Sequence, residues 1–255
     1  MPFIDIAFQA ELSRYEDPEF EEYAKKNCNE FPDTRHKVIE ELRRMMVRYE
    51  DFRQKNAYLY NCDPFGLQRV KNVYGGTLPE SPENGRIVLM RFGRWDPSAV
   101  PIEDVVRCAL FMDEIAVMQP KLQILGVTII VDLDGLSIRH VRHLTPTVAY
   151  QIVSLMGVSF PLAMHGLHII NYNWILNSVF YLFKQFIPAA VWSRLHFHGS
   201  NMESLHKFIQ PQYLPPEYGG SCRHIISTEE WIAKIYRYKD DFLIEELRDL
   251  GFYVT

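Results

Sequence analysis

From residue 85 onward, short apolar runs alternate with longer segments whose apolar residues recur at helical spacing. GRIVLMRFG (85–93) predicts a strand, and Ile102 to Met118 predicts a helix. GVTIIVDLDG (126–135) holds a continuous Val/Ile run too short for a helix, as in a strand covered on both faces. Pro146 to Met156 predicts a helix, Met164 to Ile170 a strand and Asn173 to Phe186 a helix. Arg194 to His198 then predicts a short strand followed by another helix. This alternation predicts an α/β fold with right-handed crossovers and a largely parallel sheet.

Upstream, Val38, Leu42, Met45, Tyr49 and Phe52 are spaced 4, 3, 4 and 3 apart, one face of a helix that Asp33 or Thr34 can cap. Residues 1–33 carry nine Asp or Glu against three Lys or Arg, and are expected to be partly helical and partly mobile. Asn61 to Pro82 is rich in Asn, Gly and Pro, and Gly75-Gly76 is expected to break any regular element. The boundary therefore falls between a helical region, 1–75, and a main domain, 76–255, that ends in a C-terminal extension. The chain has no internal repeat.

LHIINYNWILNSVFYLFKQFIP (167–188) runs from a strand into an aromatic helix with no charged residue between Leu167 and Phe183. It is too short and too polar to span a bilayer. Such a helix must be buried, dock on a partner, or close an apolar cavity. Ile175, Val179, Phe180, Phe183 and Ile187 follow helical spacing, with Ser178, Tyr181, Gln185 and Trp174 opposite. On pattern alone, an ordinary core helix accounts for the stripe.

With 255 residues, 47% of them hydrophobic, the chain can bury one large domain and a small satellite. A net charge of −5 argues against a generally basic nucleic-acid binder, although it leaves room for a local basic patch. The N-terminus has no basic segment followed by an apolar core, so no signal peptide is expected. Cys28, Cys62, Cys108 and Cys222 are scattered without CxxC spacing and read as reduced thiols of a cytosolic protein.

Asp132-Leu133-Asp134-Gly135, at the end of a buried strand, is the sharpest catalytic-looking motif. It resembles the nucleophile and acid pair of magnesium phosphatases of the haloacid-dehalogenase type. No later acidic strand end completes that site, Leu136 stands in place of the usual Thr, and the alternative is a capped strand-end turn. His196 and His198 project to one strand face without a third metal ligand of suitable spacing. His140 and His143 suit a turn or helix start, and His165 and His168 point to opposite faces. No GxSxG, P-loop or dinucleotide-binding glycine pattern occurs. No catalytic residue, metal or cofactor is assigned.

Taken together, the segments resemble a CRAL-TRIO (Sec14-like) domain, of the branch containing the alpha-tocopherol transfer protein and cellular retinaldehyde-binding protein. GRIVLMRFGRWDPS resembles its opening strand and GxWDP turn, and GVTIIVDLDGLSIRHVRHLTP its central strand. SFPLAMHGLHIINYNWILNSVFYLFKQFIP matches "FPxxxxGxHxIN" and a mobile gate helix. RLHFHGSNMESLHKFIQPQYLPPEYGG matches "HGxN…LPxEYGG". The likeness covers residues 85 to 220. It implies a non-enzymatic carrier with an apolar cavity between sheet and helices, working in the cytoplasm with peripheral, transient membrane contact. Glu30 to Met46 and Val47 to Tyr60 resemble the first and last helices of the family's N-terminal bundle. No segment resembles the intervening helices, so a short or incomplete bundle is expected.

The resemblance implies a cavity wall of Val106, Ala109, Leu110, Val127, Ile129, Val131, Ile152, Leu155, Met156, Phe160, Leu167 and Ile169. Asp113 is the polar residue expected inside it, the alternative being a helix-end Asp that faces solvent or pairs with a base. The gate is implied to supply Ile175, Val179, Phe180, Phe183 and Ile187. The ligand class implied is tocopherol, retinoid, carotenoid or a similar lipid. Lys184 and Arg194 match positions that bind phosphoinositide headgroups, a patch thinned by Ala163, His165 and Ala190. The alternatives are a phosphoinositide-binding trafficking adaptor and, behind it, the phosphatase.

Overall fold

Helix α1 (Arg35–Lys55) opens the computed structural model, which describes residues 35–160 and 162–254. It is one continuous helix, not the two segments meeting at residues 46 and 47 that the resemblance implied. The expected cap at Asp33 or Thr34 and the acidic residues 1–33 lie outside the described residues. Phe52 is fully buried and meets the rings of Tyr150 and Phe160. Helix α2 (Ala57–Tyr60) follows, then a 3-10 turn at Pro64–Val70.

Five strands form one sheet in the order β1 (Tyr74–Ser81), β2 (Gly85–Arg91), β3 (Val127–Asp132), β4 (Met164–Ile170) and β5 (Leu195–Gly199). Strands β2 to β5 are parallel, and β1 is an antiparallel edge. Between β2 and β3 lie α3 (Ile102–Val117) and α4 (Pro120–Leu125). Between β3 and β4 lie α5 (Ile138–Val141) and α6 (Pro146–Val153), the latter running on into a π-helical turn at Ser154–Val158. Between β4 and β5 lie α7 (Ile175–Lys184) and α8 (Ala189–Trp192), and α9 (Met202–His206), α10 (Thr228–Tyr238) and α11 (Asp241–Leu250) complete the chain.

Strand β1 corrects the expectation that Gly75-Gly76 breaks regular structure. The glycines sit in a strand whose register slips between Tyr74 and Gly76. A Cβ on Gly76 would lie 2.5 Å from the Ile226 carbonyl oxygen, where the C-terminal segment bridges to Thr77. Glycine there admits a third backbone to the ladder. Pro79 falls in a second slip, between Leu78 and Ser81. The boundary drawn at residue 75 lies inside this strand. The C-terminal extension folds back on the N-terminal region and α3: Phe252 packs on Tyr60 of α2 and Phe111 of α3, and the Tyr253 N–H donates to the Cys62 carbonyl.

Strand alternation sorts the sheet into two faces. Val88, Ile129 and Leu167 are lateral neighbours, as are Met90, Val131 and Ile169, and both rows face α3, α6 and α7. Leu89, Ile130, His168 and His196 form a row on the opposite face. There Ile87, Ile170, Leu205, Leu214 and Tyr218 build a second core.

Candidate functional site

Two adjoining apolar chambers lie between the sheet and its helices. Chamber 1 is bounded by Val88, Val127 and Ile129 of the sheet, Val106, Ala109 and Asp113 of α3, Leu155 of the π turn and Trp231 of α10. Chamber 2 is bounded by Val131, Leu167, Ile169 and Leu195 below and by α7 above. Phe92, Ile152 and Met156 border both and form the partition between them. Counted as space open to the centre of a water molecule, the chambers measure about 80 and 120 Å3.

Val106, Ala109, Asp113, Val127, Ile129 and Leu155 line chamber 1, and Ile152 and Met156 line both chambers. Val131, Leu167 and Ile169 line chamber 2 from the sheet, and Val179, Phe180, Phe183 and Ile187 line it from the helix side. Leu110, Phe160 and Ile175 line neither. Leu110 follows Ala109 by one residue, which rotates it off the cavity face into the solid core, where it is fully buried. Phe160 is wedged edge-on between Tyr49 and Phe52. Ile175, the first residue of α7, is buried in the core instead. Sequence reasoning missed Leu176, which lines chamber 2 and stands 3, 4, 7 and 11 residues before Val179, Phe180, Phe183 and Ile187. A stripe begun at residue 176 would have found it. Met90, Phe92, Leu195, Arg86 and Gln119 were also missed.

Helix α7 separates its sides sharply. Leu176 and Val179 are buried, Phe180, Phe183 and Ile187 are half-buried, and Trp174 and Tyr181 are 70% and 77% exposed. Phe180 also packs edge-on against Trp192 and Phe197. Lys184 at the end of α7 and Arg194 before β5 are exposed and make no ion pair among the described residues.

On α3, two adjacent acids have different surroundings. Glu114 accepts from the Tyr49 and Tyr60 hydroxyls at 2.6 Å each, which ties α1 and α2 to α3. Burial raises its pKa against the lowering effect of those bonds. Asp113 is half-buried and lies among the residues that line chamber 1. Burial, with Glu114 beside it, holds its pKa well above the usual carboxylate range.

The DxDG and histidine motifs lie off the cavity. Asp132 accepts from the Asp134 N–H and Asn171 Nδ2 at 2.9 and 3.0 Å, and from the Tyr218 hydroxyl at 2.7 Å. Asn171 holds φ at 53°, a left-handed conformation asparagine tolerates. Gly93 lets the β2–α3 turn meet this corner, since a Cβ there would collide with the Asp134 carbonyl. His168, His196 and His198 stack on the far face beside Phe208. His168 Nδ1 and His198 Nε2 share a 2.9 Å hydrogen bond, and His198 Nδ1 meets Ser204 Oγ at 2.8 Å. Among the described residues, no group of three or more His, Cys, Asp or Glu gathers to hold a metal. None of their helices is long and apolar enough to cross a membrane.

Residues 73–220 match the CRAL/TRIO domain family. Clavesin-2 of Homo sapiens is 27% identical over 242 residues, covering 80% of this chain and 74% of that protein. Clavesin-1 of Rattus norvegicus is 31% identical over 183 residues, covering 70% of this chain and 52% of that protein. The crystal structure of Sfh5 superposes with a TM-score of 0.51 at 13% identity, covering 91% of this chain and 86% of that one. That likeness concerns the fold.

Proposed function

The chain belongs to the CRAL/TRIO domain family of lipid-binding and lipid-transfer proteins, and from that premise we propose that it carries one lipophilic molecule in the paired chambers and delivers it to membranes. One observation carries the reading: chamber 2 is walled by apolar side chains alone and roofed by a helix whose outer side is exposed. Burial of apolar ligand surface at roughly 25 cal/mol per Å2 holds a long isoprenoid or acyl chain without many polar contacts. A tocopherol, retinoid, carotenoid or similar lipid fits that requirement.

Release needs α7 to swing away, which exposes Phe180, Phe183 and Ile187. At a bilayer surface these residues stay in an apolar medium while Lys184 meets anionic headgroups. The membrane therefore favours the open form by differential binding. No residue is given a catalytic role. Native mass spectrometry of protein expressed in lipid-containing cells tests the reading, with one bound lipophile per chain as the expected result. Chambers that stay empty under every lipid offered refute it.

Lys184 and Arg194, exposed and without an ion pair among the described residues, favour a second reading, a phosphoinositide-binding adaptor that carries no lipophile. An organic extract of the purified protein without stoichiometric ligand, together with vesicle binding that requires both residues, would select it.

A further inference from the structure

The floor under the two chambers is continuous. Val88, Ile129, Leu167 and Leu195 are lateral neighbours on β2, β3, β4 and β5, the first two under chamber 1 and the last two under chamber 2. That row crosses three strand spacings, roughly 14 Å. The division above it rests on the side chains of Phe92, Ile152 and Met156, which border both chambers. Phe92 projects from the 3-10 turn after β2. Ile152 is buried and β-branched, which holds it to one rotamer in α6. Met156 stands one turn further on, in the π-helical turn where the Ser159 N–H donates to the Ser154 carbonyl at 3.0 Å. It is half-buried and unbranched, with three side-chain torsions. Neighbours on every side lock an ordinary core side chain, whereas Met156 has a chamber on either side.

We propose that Met156 is a movable divider that sets the length of the cargo. Across the gap it confines a hydrocarbon chain to chamber 2, and turned aside it admits one long chain that lies across the strands through both chambers. This deepens the carrier reading and rests on it. Chamber 2 lies under α7 and fills first. A water needs about 10–15 Å3 of space open to its centre, and a methylene displaces about the same volume as a water. Chamber 2, at about 120 Å3, then takes roughly 8–12 carbons, and the two chambers together roughly 13–20. Each buried methylene strengthens binding about fourfold, so a chain stopped at the partition loses most of what a long hydrocarbon can gain. Ile152 cannot clear the gap without moving α6, whereas Met156 clears it by rotation alone. A π-helical turn is uncommon and is found most often at functional positions, in keeping with a divider mounted on it.

The test uses full-length protein freed of co-purified lipid on a hydrophobic resin. Straight-chain primary alcohols of about 8 to 20 carbons are titrated from cyclodextrin, with occupancy read by native mass spectrometry. Comparing variants with the parent at each chain length cancels the contribution of the cyclodextrin. Parent affinity should keep climbing to about 16 carbons or beyond. Met156→Phe, bulkier and stiffer, should leave decanol within about twofold of the parent and weaken octadecanol about tenfold or more. Met156→Ala should raise the octadecanol-to-decanol preference about threefold or more, and it decides the matter if the phenylalanine variant does not fold. A parent series that levels off near 12 carbons, or a preference unchanged in the variants that fold, overturns the divider while the carrier reading stands. If the parent binds none of the alcohols, the carrier reading falls and the divider with it.

Discussion

Phe180→Asp combined with Phe183→Asp tests the gate most directly. In the closed form these rings and Ile187 cover chamber 2 and are half-buried. Full burial of such side chains stabilises by about 1.5–3 kcal/mol each, so the half-buried trio holds the gate shut by roughly 2–4 kcal/mol. At 1.4 kcal/mol per factor of ten, spontaneous opening in water is suppressed about 30- to 1,000-fold. A bilayer surface supplies the apolar medium that water lacks and removes most of that cost. Two aspartates abolish both effects, because the closed form loses its cover and the open form cannot insert. The assay follows a fluorescent lipophile from protein to acceptor vesicles, and separately into buffer with a hydrophobic trap. The double variant should lose ligand to buffer about tenfold faster and deliver it to vesicles about tenfold more slowly. Phe180→Leu with Phe183→Leu should stay close to the parent. If the aspartate variant delivers to vesicles as fast as the parent, α7 is not the gate.

Burial, with His198 and His196 beside it, lowers the His168 pKa from 6.5 to about 3. The unfolded chain therefore takes up a proton below pH 6.5 that the folded chain refuses. Stability is complete above 6.5 and falls toward pH 3 by about 1.4 kcal/mol per unit, a slope in urea midpoints that His168→Gln should flatten. Asp113 titrates with the opposite sign: its raised pKa favours the protonated fold, so stability is lost as pH rises above 3.8. Asp113→Asn should raise the melting temperature at about pH 8 and leave it unchanged at about pH 3. Tyr60→Phe strips Glu114 of one donor and should cost about 1–3 kcal/mol, with Tyr49→Phe non-additive on top of it in a double-mutant cycle. Asp132→Ala removes the acceptor for Asn171, Tyr218 and the Asp134 N–H. It should lower the melting temperature by several degrees without changing ligand retention. Magnesium-dependent phosphate-ester hydrolysis lost in Asp132→Asn would instead point to phosphatase chemistry.

The parallel strands were readable because each is a short apolar run between helical periods, and Ile129 to Val131 has no other stable place than the middle of a sheet. Strand β1 was not, because its glycines and proline answer a tertiary demand, the close approach of the segment at Ile226, that local pattern cannot express. Residues on the cavity face followed from alternation and helical spacing. The misplacements were small rotations: Leu110 beside Ala109, and Ile175 in place of Leu176 at the start of α7. Phe160 failed differently, because its ring packs edge-on against Tyr49 and Phe52 of α1 and not against either chamber.

The motifs that mark the family build the corner and far face of the sheet. Tyr218 of LPPEYGG clamps Asp132 of DLDG, Asn171 closes the same corner, and the imidazoles of HFHG stack on His168 away from the ligand space. Hydrogen bonding constrains Asp132, Asn171, Tyr218, His168 and His198, whose polar side chains are all partnered. The cavity face answers to volume and shape, which many combinations of Val, Ile, Leu, Met and Phe can meet. Family membership is therefore written in residues that do not touch the cargo. The two chambers are lined mostly by such positions, which carry no motif.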